Sequence, residues 1–194
     1  MDPHLLQFRY VPGYQIPESG PHLPADRQPG TWVPRLVAAF NGAFHLRDGA
    51  GGYYYAGHLV RPLRPGLASV IVTDDGAMHV RAWDSSTSVD THTTVVRQNL
   101  TPLVSAGVAQ ARLHDSPARW GQANGGLPHA NRTALGECAD GTLVFAYGHE
   151  TTADVLAAAL VDAGVQTAVM LDMNKSWPTG FYYDDPTSGA RHPV

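Results

Sequence analysis

The chain has 194 residues, a formal net charge of −4, 43% hydrophobic residues and only 15% charged ones. That is enough apolar chain for the core of one ordinary domain and too much for a disordered one. The basic residues are scattered and Lys175 is the only lysine, which excludes a basic footprint for a nucleic-acid backbone; no stretch is long and apolar enough to span a membrane.

Residues 1–34 are rich in Pro, Gly and polar residues and read as an extended, loop-rich segment anchored by Trp32 and Val33, ahead of a domain over 35–194. The start, MDPHLLQFRYVPG, lacks the charged lead and apolar run of a secretory leader. From Arg35 the chain turns apolar (RLVAAF) and meets Asn41-Gly42, a pair that tolerates positive φ, so a strand ending in a tight turn is expected. Ser69–Thr73 is β-branched, Asp75-Gly76 turns it, and Met78–Trp83 alternates apolar and polar, which predicts a hairpin. Thr91–Val96 is another β-branched run.

Asp140-Gly141 opens a strand over Thr142–Tyr147 in which Leu143, Phe145 and Tyr147 share a face. A helix is expected from Thr152 to Ala163, with Thr151 as N-cap, Asp154 near its positive end, and Val155, Leu156, Ala159, Leu160 and Ala163 on one stripe. Gly164 is placed to end it in the left-handed conformation. Val165–Leu171 then reads as a strand, with Val165, Thr167, Val169 and Leu171 facing one way and Gln166, Ala168, Met170 and Asp172 the other. The expected class is α+β: packed helices on a twisted, largely antiparallel or mixed sheet.

Several chemistries lack their motifs. Cys138 is the single cysteine, which excludes an internal disulfide and a cysteine zinc cage. There is no phosphate loop followed by Lys, the GAGG near Gly49 precedes an aromatic run rather than a helix, and no serine sits in a nucleophile elbow. The ten histidines form no helical metal pair. No metal or cofactor is expected. Asn99, Asn131 and Asn174 open Asn-X-Ser/Thr triplets, which read as chance occurrences.

Four ordered segments carry a resemblance: AFNGAF (Ala39–Phe44), VRQNLTPLVSAG (Val96–Gly107), NRTALG with DGTLVFAYG (Asn131–Gly148), and AGVQTAVMLDMN (Ala163–Asn174). Together they resemble the phosphodiester glycosidase family, in order and spacing, from about Arg35 onward. The resemblance implies a hydrolase acting on a sugar-1-phosphate diester or a related glycan bond, a carbohydrate or sugar-phosphate ligand, and an exported protein. Two departures stand out. Asp172 is followed by Met173, Asn174 and Lys175 instead of the Gly-rich, Ser-containing turn the family pattern implies, and that pattern has more chain ahead of the AFNG-like segment.

Hydrolysis of such a diester needs a cation for the phosphate, a carboxyl group at the anomeric centre and polar groups for sugar hydroxyls. The family-like segments supply these types. Arg132, read as lying in a loop before a strand, and secondly Arg97, are candidates for phosphate; either can instead be a structural, ion-paired or bridging Arg. Asp172 is the candidate carboxylate, or else a cap on the following turn. Asn41, Gly42, Gln98, Asn99, Asn174 and Thr133 are candidates to line the cleft, with hairpin-turn or backbone-satisfying roles as the plain alternatives. His149 stands before the helix, where an anion can bind, or is a simple loop residue. Trp177 is a candidate stacking platform or a core aromatic. The expected activity is glycosidic-bond hydrolysis. The alternatives are a non-catalytic glycan-binding domain of the same fold, and a structural or partner-binding module.

Overall fold

The structure, a computed structural model, describes residues 1–12, 33–48, 51–121, 128–173, 179–184 and 190–194. Strand β1 (Ala38–Phe40) follows a 3-10 turn at Val33–Arg35. Strands β2 (Tyr53–Tyr55), β3 (His58–Arg61), β4 (Ala68–Thr73), β5 (Met78–Ala82) and β6 (Thr93–Gln98) build one sheet in the order β3-β2-β6-β4-β5. Strands β7 (Val104–Ser105), β8 (Val108–Ala109), β9 (Ala130–Cys138), β10 (Leu143–Thr151) and β11 (Val165–Met173) build a second, ordered β10-β9-β11-β7-β8, with helix α1 (Ala153–Asp162) between β10 and β11. Strand β12 (Gly180–Tyr182) lies between β1 and β13 (His192–Pro193) in a small third sheet.

The sheets are antiparallel, as expected, but the expected set of packed helices is not found. Among the described residues α1 is the one α-helix. What covers the other face of the second sheet is the first sheet. Leu135, Leu143, Val169 and Leu171 pack with Val72, Met78, Val80 and Val95 in one core. The opposite face of the second sheet carries α1 through Ala134, Ala168 and Met170 against Leu156, Ala157 and Leu160. A strand buried on both faces needs apolar residues at every position rather than alternate ones, and VMLDM near the end of β11 is buried at Val169, Met170, Leu171 and Met173.

Local chemistry explains where the elements differ from the expected ones. Thr151 ends β10 by pairing with Ala130, so Thr152 rather than Thr151 is the N-cap of α1. The buried face of α1 is Ala153, Leu156, Ala157 and Leu160, while Val155 is 57% exposed. Gly164 has φ +83° and closes the helix as expected. Because β10 and β11 both run antiparallel to β9, they point the same way, and α1 carries the chain across β9 to make that crossover. Strand β11 is not regular: its register shifts between Val165 and Thr167 and again between Met170 and Met173. Val165 therefore joins Ala168 and Met170 on the helix side, not Val169 and Leu171. The turns at Gly76 (φ +85°) and Gly141 (φ +84°) are the predicted ones. Asn41-Gly42 is not a hairpin turn, since β1 pairs with distant β12 and the Asn41 amide donates to Thr179 O at 3.0 Å.

Two further ties hold the layers. Buried Glu137 on β9 accepts from the Val80 amide at 2.6 Å and pairs with Arg81 Nη1 at 2.5 Å on β5, so one carboxylate links the two large sheets. The N-terminal segment is tied down by reciprocal bonds between Met1 and Leu143 (2.7 and 2.9 Å) and by Phe8 N to Gly76 O at 2.7 Å. Val33, one of its two expected anchors, is half-buried; Trp32 lies outside the described residues.

Gly51 lets its backbone approach β6, and Gly52 lets it approach the Pro62–Leu63 main chain. A Cβ on Gly51 would stand 2.4 Å from the Gln98 carbonyl carbon, a clash with main chain that a rotamer change does not relieve. Gly51→Ala is expected to lower stability by about 1–3 kcal/mol, read as a fall in the urea midpoint at unchanged slope.

Candidate functional site

Four of the expected residues meet where β1, β9, β11 and β12 converge. Asn41 Nδ2 donates to Thr133 Oγ1 at 2.9 Å, and the Thr133 hydroxyl donates to the Asp172 carbonyl at 2.8 Å. The Asp172 amide donates to Gly42 O at 2.8 Å, and Asn41 Oδ1 accepts from the Thr179 amide at 3.1 Å. The circuit fixes the end of β11 against the Asn41–Gly42 backbone. It also occupies the Asn41 amide and the Thr133 hydroxyl with protein partners, so these two residues build the site rather than face into it.

The Asp172 side chain is what the circuit presents. Oδ1 accepts from the Met173 amide at 2.7 Å; Oδ2 has no hydrogen-bond partner among the described residues. Burial raises this carboxyl above its ordinary value, opposed by the Met173 amide and by the charge of His45, with Asp48 adding to the rise. A carboxyl pushed up in this way is suited to carrying a proton.

The segment 41–48 forms one wall, and two arginines, one buried and one half-buried, hold it. Arg97, 8% exposed, donates through Nη2 to Phe44 O and through Nη1 to Gln98 O at 3.1 Å, with its guanidinium 5.5 Å from the Tyr53 ring centroid. Arg61 Nη1 donates to Leu46 O. The carbonyls on both sides of His45 are thus gripped by guanidinium groups. Desolvation lowers the pKa of Arg97, and the carbonyl acceptors are what make its burial tolerable.

Arg132 is placed differently from the expected loop position. It lies inside β9, not before a strand, and is 1% exposed. Nε donates to Thr151 O at 3.2 Å, Nη1 to Trp120 O at 2.9 Å and Met173 Sδ at 3.1 Å, and Nη2 to Pro128 O at 3.0 Å. Successive residues of a strand point to opposite faces, so Arg132 turns toward Trp120 and Met173 while Thr133 turns toward Asp172. The carboxylate that bears on Arg132 is Asp154, whereas His45 and Asp48 bear on Asp172.

The remaining expected residues divide. Gln98 is fully buried and uses both ends of its amide on Gly52 N (3.0 Å), Arg64 N (2.8 Å), Arg64 O (3.2 Å) and Ser69 Oγ (3.1 Å). Asn99, 1% exposed, donates to Met170 O at 2.5 Å and ties β6 to β11. Both fill the backbone-satisfying alternative. His149 is exposed on β10, inside the strand rather than at the helix start. Asn174 and Trp177 lie outside the described residues. A mainly apolar cavity of about 610 Å³ has Asn41, Gly42, Arg97, Tyr10 and Leu171 among its lining residues; neither Asp172 nor His45 lines it.

Sequence reasoning passed over His45. The only signal available for it was its place four residues after Asn41 in AFNGAFHLRD, since the contacts that fix the carbonyls on either side of it are made by Arg61 and Arg97, both distant in sequence.

Two outcomes follow for stability. Arg132→Met removes a set of charge-assisted bonds and leaves buried carbonyls unpaired, so it is expected to lower the unfolding free energy by at least about 3 kcal/mol, read by denaturant titration. For Asp172 the sign runs the other way. Its folded-state pKa is raised above the ordinary 3.8, so its contribution to stability is fullest with the carboxyl protonated, at low pH, and is lost as pH rises through the folded value. Uncharged Asp172→Asn is therefore expected to melt above the parent at pH 7 and level with it near pH 3.

No protein-family model and no curated protein matches the chain. Among solved structures it is similar to the zebrafish N-acetylglucosamine-1-phosphodiester alpha-N-acetylglucosaminidase catalytic domain auto-inhibited by its pro-peptide, with TM-score 0.55 and 17% identity over 77% of this chain and 54% of that one. A hypothetical protein from Synechocystis aligns with TM-score 0.41 and 13% identity over 82% of this chain and 50% of that one. The chain spans about half the length of these structures. At such identity the likeness is one of fold: this chain shares its architecture, in part, with a glycosidase catalytic domain.

Proposed function

We propose that this chain hydrolyses a glycosidic bond in a sugar-1-phosphate diester or a related glycan, with Asp172 acting at the anomeric centre. The observation that carries the reading is the Asp172 carboxyl itself. It is desolvated and raised in pKa, held at the end of β11 by a closed hydrogen-bond circuit, and leaves Oδ2 unengaged among the described residues. The shared fold with a glycosidase catalytic domain supports the reaction class by analogy only.

In the step proposed, the bond from the anomeric carbon to the phosphate oxygen breaks and its electron pair leaves with the phosphate monoester. Water oxygen bonds to the anomeric carbon, and the proton it sheds passes to the Asp172 carboxylate. A phosphate ester departs as a stabilised anion, so this step makes little demand on a strong general acid. Arg132 and Arg97 are engaged by carbonyls and serve the scaffold in this reading rather than the phosphate.

A specific observation favours a second reading, a glycan-binding domain without turnover: Oδ1 of Asp172 caps its own following amide, as a purely structural aspartate does. Incubating the full chain with the methyl-phosphate diesters of N-acetylglucosamine, glucose, galactose and mannose, and measuring release of reducing sugar, separates the two. Turnover that falls by about 10²–10⁴-fold in Asp172→Asn is the expected result. Turnover equal in parent and variant overturns the role of Asp172, and sugar binding by NMR with no turnover in the parent supports the binding domain instead.

A further inference from the structure

Cross-strand register sets Arg97 into an apolar face of the first sheet. Tyr53, Arg97, Val70 and Val80 form one row across β2, β6, β4 and β5, and Tyr55, Val95, Val72 and Met78 form the next. The seven neighbours of Arg97 in these rows belong to the core shared with the second sheet. Arg97 is 8% exposed. Its guanidinium meets the carbonyls of Phe44, Gly52 and Gln98. The groups that bear on its charge are Tyr10, Tyr53 and Arg61, with no carboxylate among them. A cation buried among neutral acceptors lacks the counter-charge that usually accompanies one.

Arg97 also lines the cavity of about 610 Å³, together with Val70, Val72 and Met78 of the first sheet and Leu135 and Leu171 of the second. Protein interiors are otherwise close-packed, with few voids larger than a water molecule, and this volume lies within the range of small-molecule sites, about 300–1,000 Å³. The rest of the lining comes from within segments 1–11 and 35–43. The first of these bridges the two sheets, from Met1 bonded to Leu143 on β10 to Phe8 bonded to Gly76 between β4 and β5. Leu5, Val11 and Val37, which line the cavity, are exposed, so apolar surface runs from its buried end out to solvent. Exposed apolar side chains gathered on one cavity mark a contact with something else. Arg9 and Arg35, also exposed, add positive charge to the same lining, and no Asp or Glu stands among its described residues.

The geometry points to a binding site for a single-chain amphiphile with an anionic head, an alkyl carboxylate or an alkyl phosphate, its head against Arg97 and its chain along Val72, Met78, Leu135 and Leu171. An oxygen anion at the guanidinium supplies the missing counter-charge through a charge-assisted bond, and the alkyl chain covers surface that water solvates poorly. A neutral alcohol meets the second need alone, and a quaternary ammonium head is repelled. The site is separate from the hydrolytic reading: neither Asp172 nor His45 lines the cavity, and amphiphile binding stands or falls without any turnover.

The test titrates the full chain with decanoate and decyl phosphate, and with decanol, decyltrimethylammonium and butyrate for comparison, each below its micelle-forming concentration. Affinity is read by calorimetry, and the place of binding by the methyl resonances of Val72, Met78, Leu135 and Leu171. Both long-chain anions are expected to bind at least about 10-fold more tightly than the other three probes and to shift those methyls. Arg97→Met is expected to bring the anions down to the affinity of decanol. Val70→Trp, which fills the cavity, is expected to weaken both anions by at least about 10-fold. If Arg97→Met does not fold, the head-group series in the parent and Val70→Trp decide the matter. Decanoate preferred over decyl phosphate identifies a fatty acid as the occupant, and the reverse a phosphorylated long-chain alcohol. Equal affinity for anion, alcohol and ammonium, butyrate binding as tightly as decanoate, unmoved methyls, or unchanged affinity in Val70→Trp overturns the proposal.

Discussion

Thr133 Oγ1, receiving from Asn41 Nδ2 and donating to the Asp172 carbonyl, is the contact on which the site depends. A hydroxyl can do both at once, and few other side chains can. Its two partners lie 92 and 39 residues away in sequence, so one small group brings together the end of β1, the middle of β9 and the end of β11. Register makes this possible. Thr133 pairs with Tyr147 on one side, and β11 shifts its register between Met170 and Met173 on the other, which lets Leu171 stay in the core while Asp172 reaches its rim. A bulge at this point re-aims a side chain that a regular strand would have sent toward α1.

The same junction is held from behind by guanidinium groups that bond to carbonyls rather than to carboxylates. Arg132 links β9 to the Trp120 and Pro128 backbones and to the end of β10. Arg97 links β6 to the loop after β1. Five donors in a fixed fork suit Arg to crossing several chain segments at once where no regular ladder reaches them. A buried charge held only by neutral acceptors is still costly, and for both groups burial pulls the pKa down. The return is a loop, 41–48, with a defined path although most of it lies outside strands and helices.

Much of the fold was legible because its signals are local. Asp75-Gly76 and Asp140-Gly141 turn where glycine is needed, the β-branched runs are strands, and Gly164 ends the helix. What was not legible is pairing between distant segments. Asn41-Gly42 has the composition of a hairpin turn, yet the strand before it pairs with residues 180–182. Arg132 looked like a loop residue because NRT interrupts the apolar pattern, whereas a strand covered on both faces can bury a polar side chain wherever carbonyls are waiting for it. The layer covering the sheet was expected to be helices for a related reason: an apolar face announces that it needs cover, not which element will supply it.

The site was legible by residue type more than by role. Asn41, Gly42, Thr133 and Asp172 do converge, but the Asn41 side-chain amide, the Gly42 carbonyl and the Thr133 hydroxyl are spent within the protein. Polar residues drawn to one place by a shared function and polar residues drawn there to satisfy one another have the same appearance in a sequence. Coordinates separate them by a simple criterion: whether donors and acceptors remain after the internal bonds are made. By that criterion Gln98 and Arg132 belong to the framework, whereas Oδ2 of Asp172 keeps its capacity among the described residues. Of the four residues that converge at this junction, Asp172 is the titratable one. Discrimination between sugars then cannot rest on the amide side chains of Asn41 and Gln98, whose donors and acceptors are already committed.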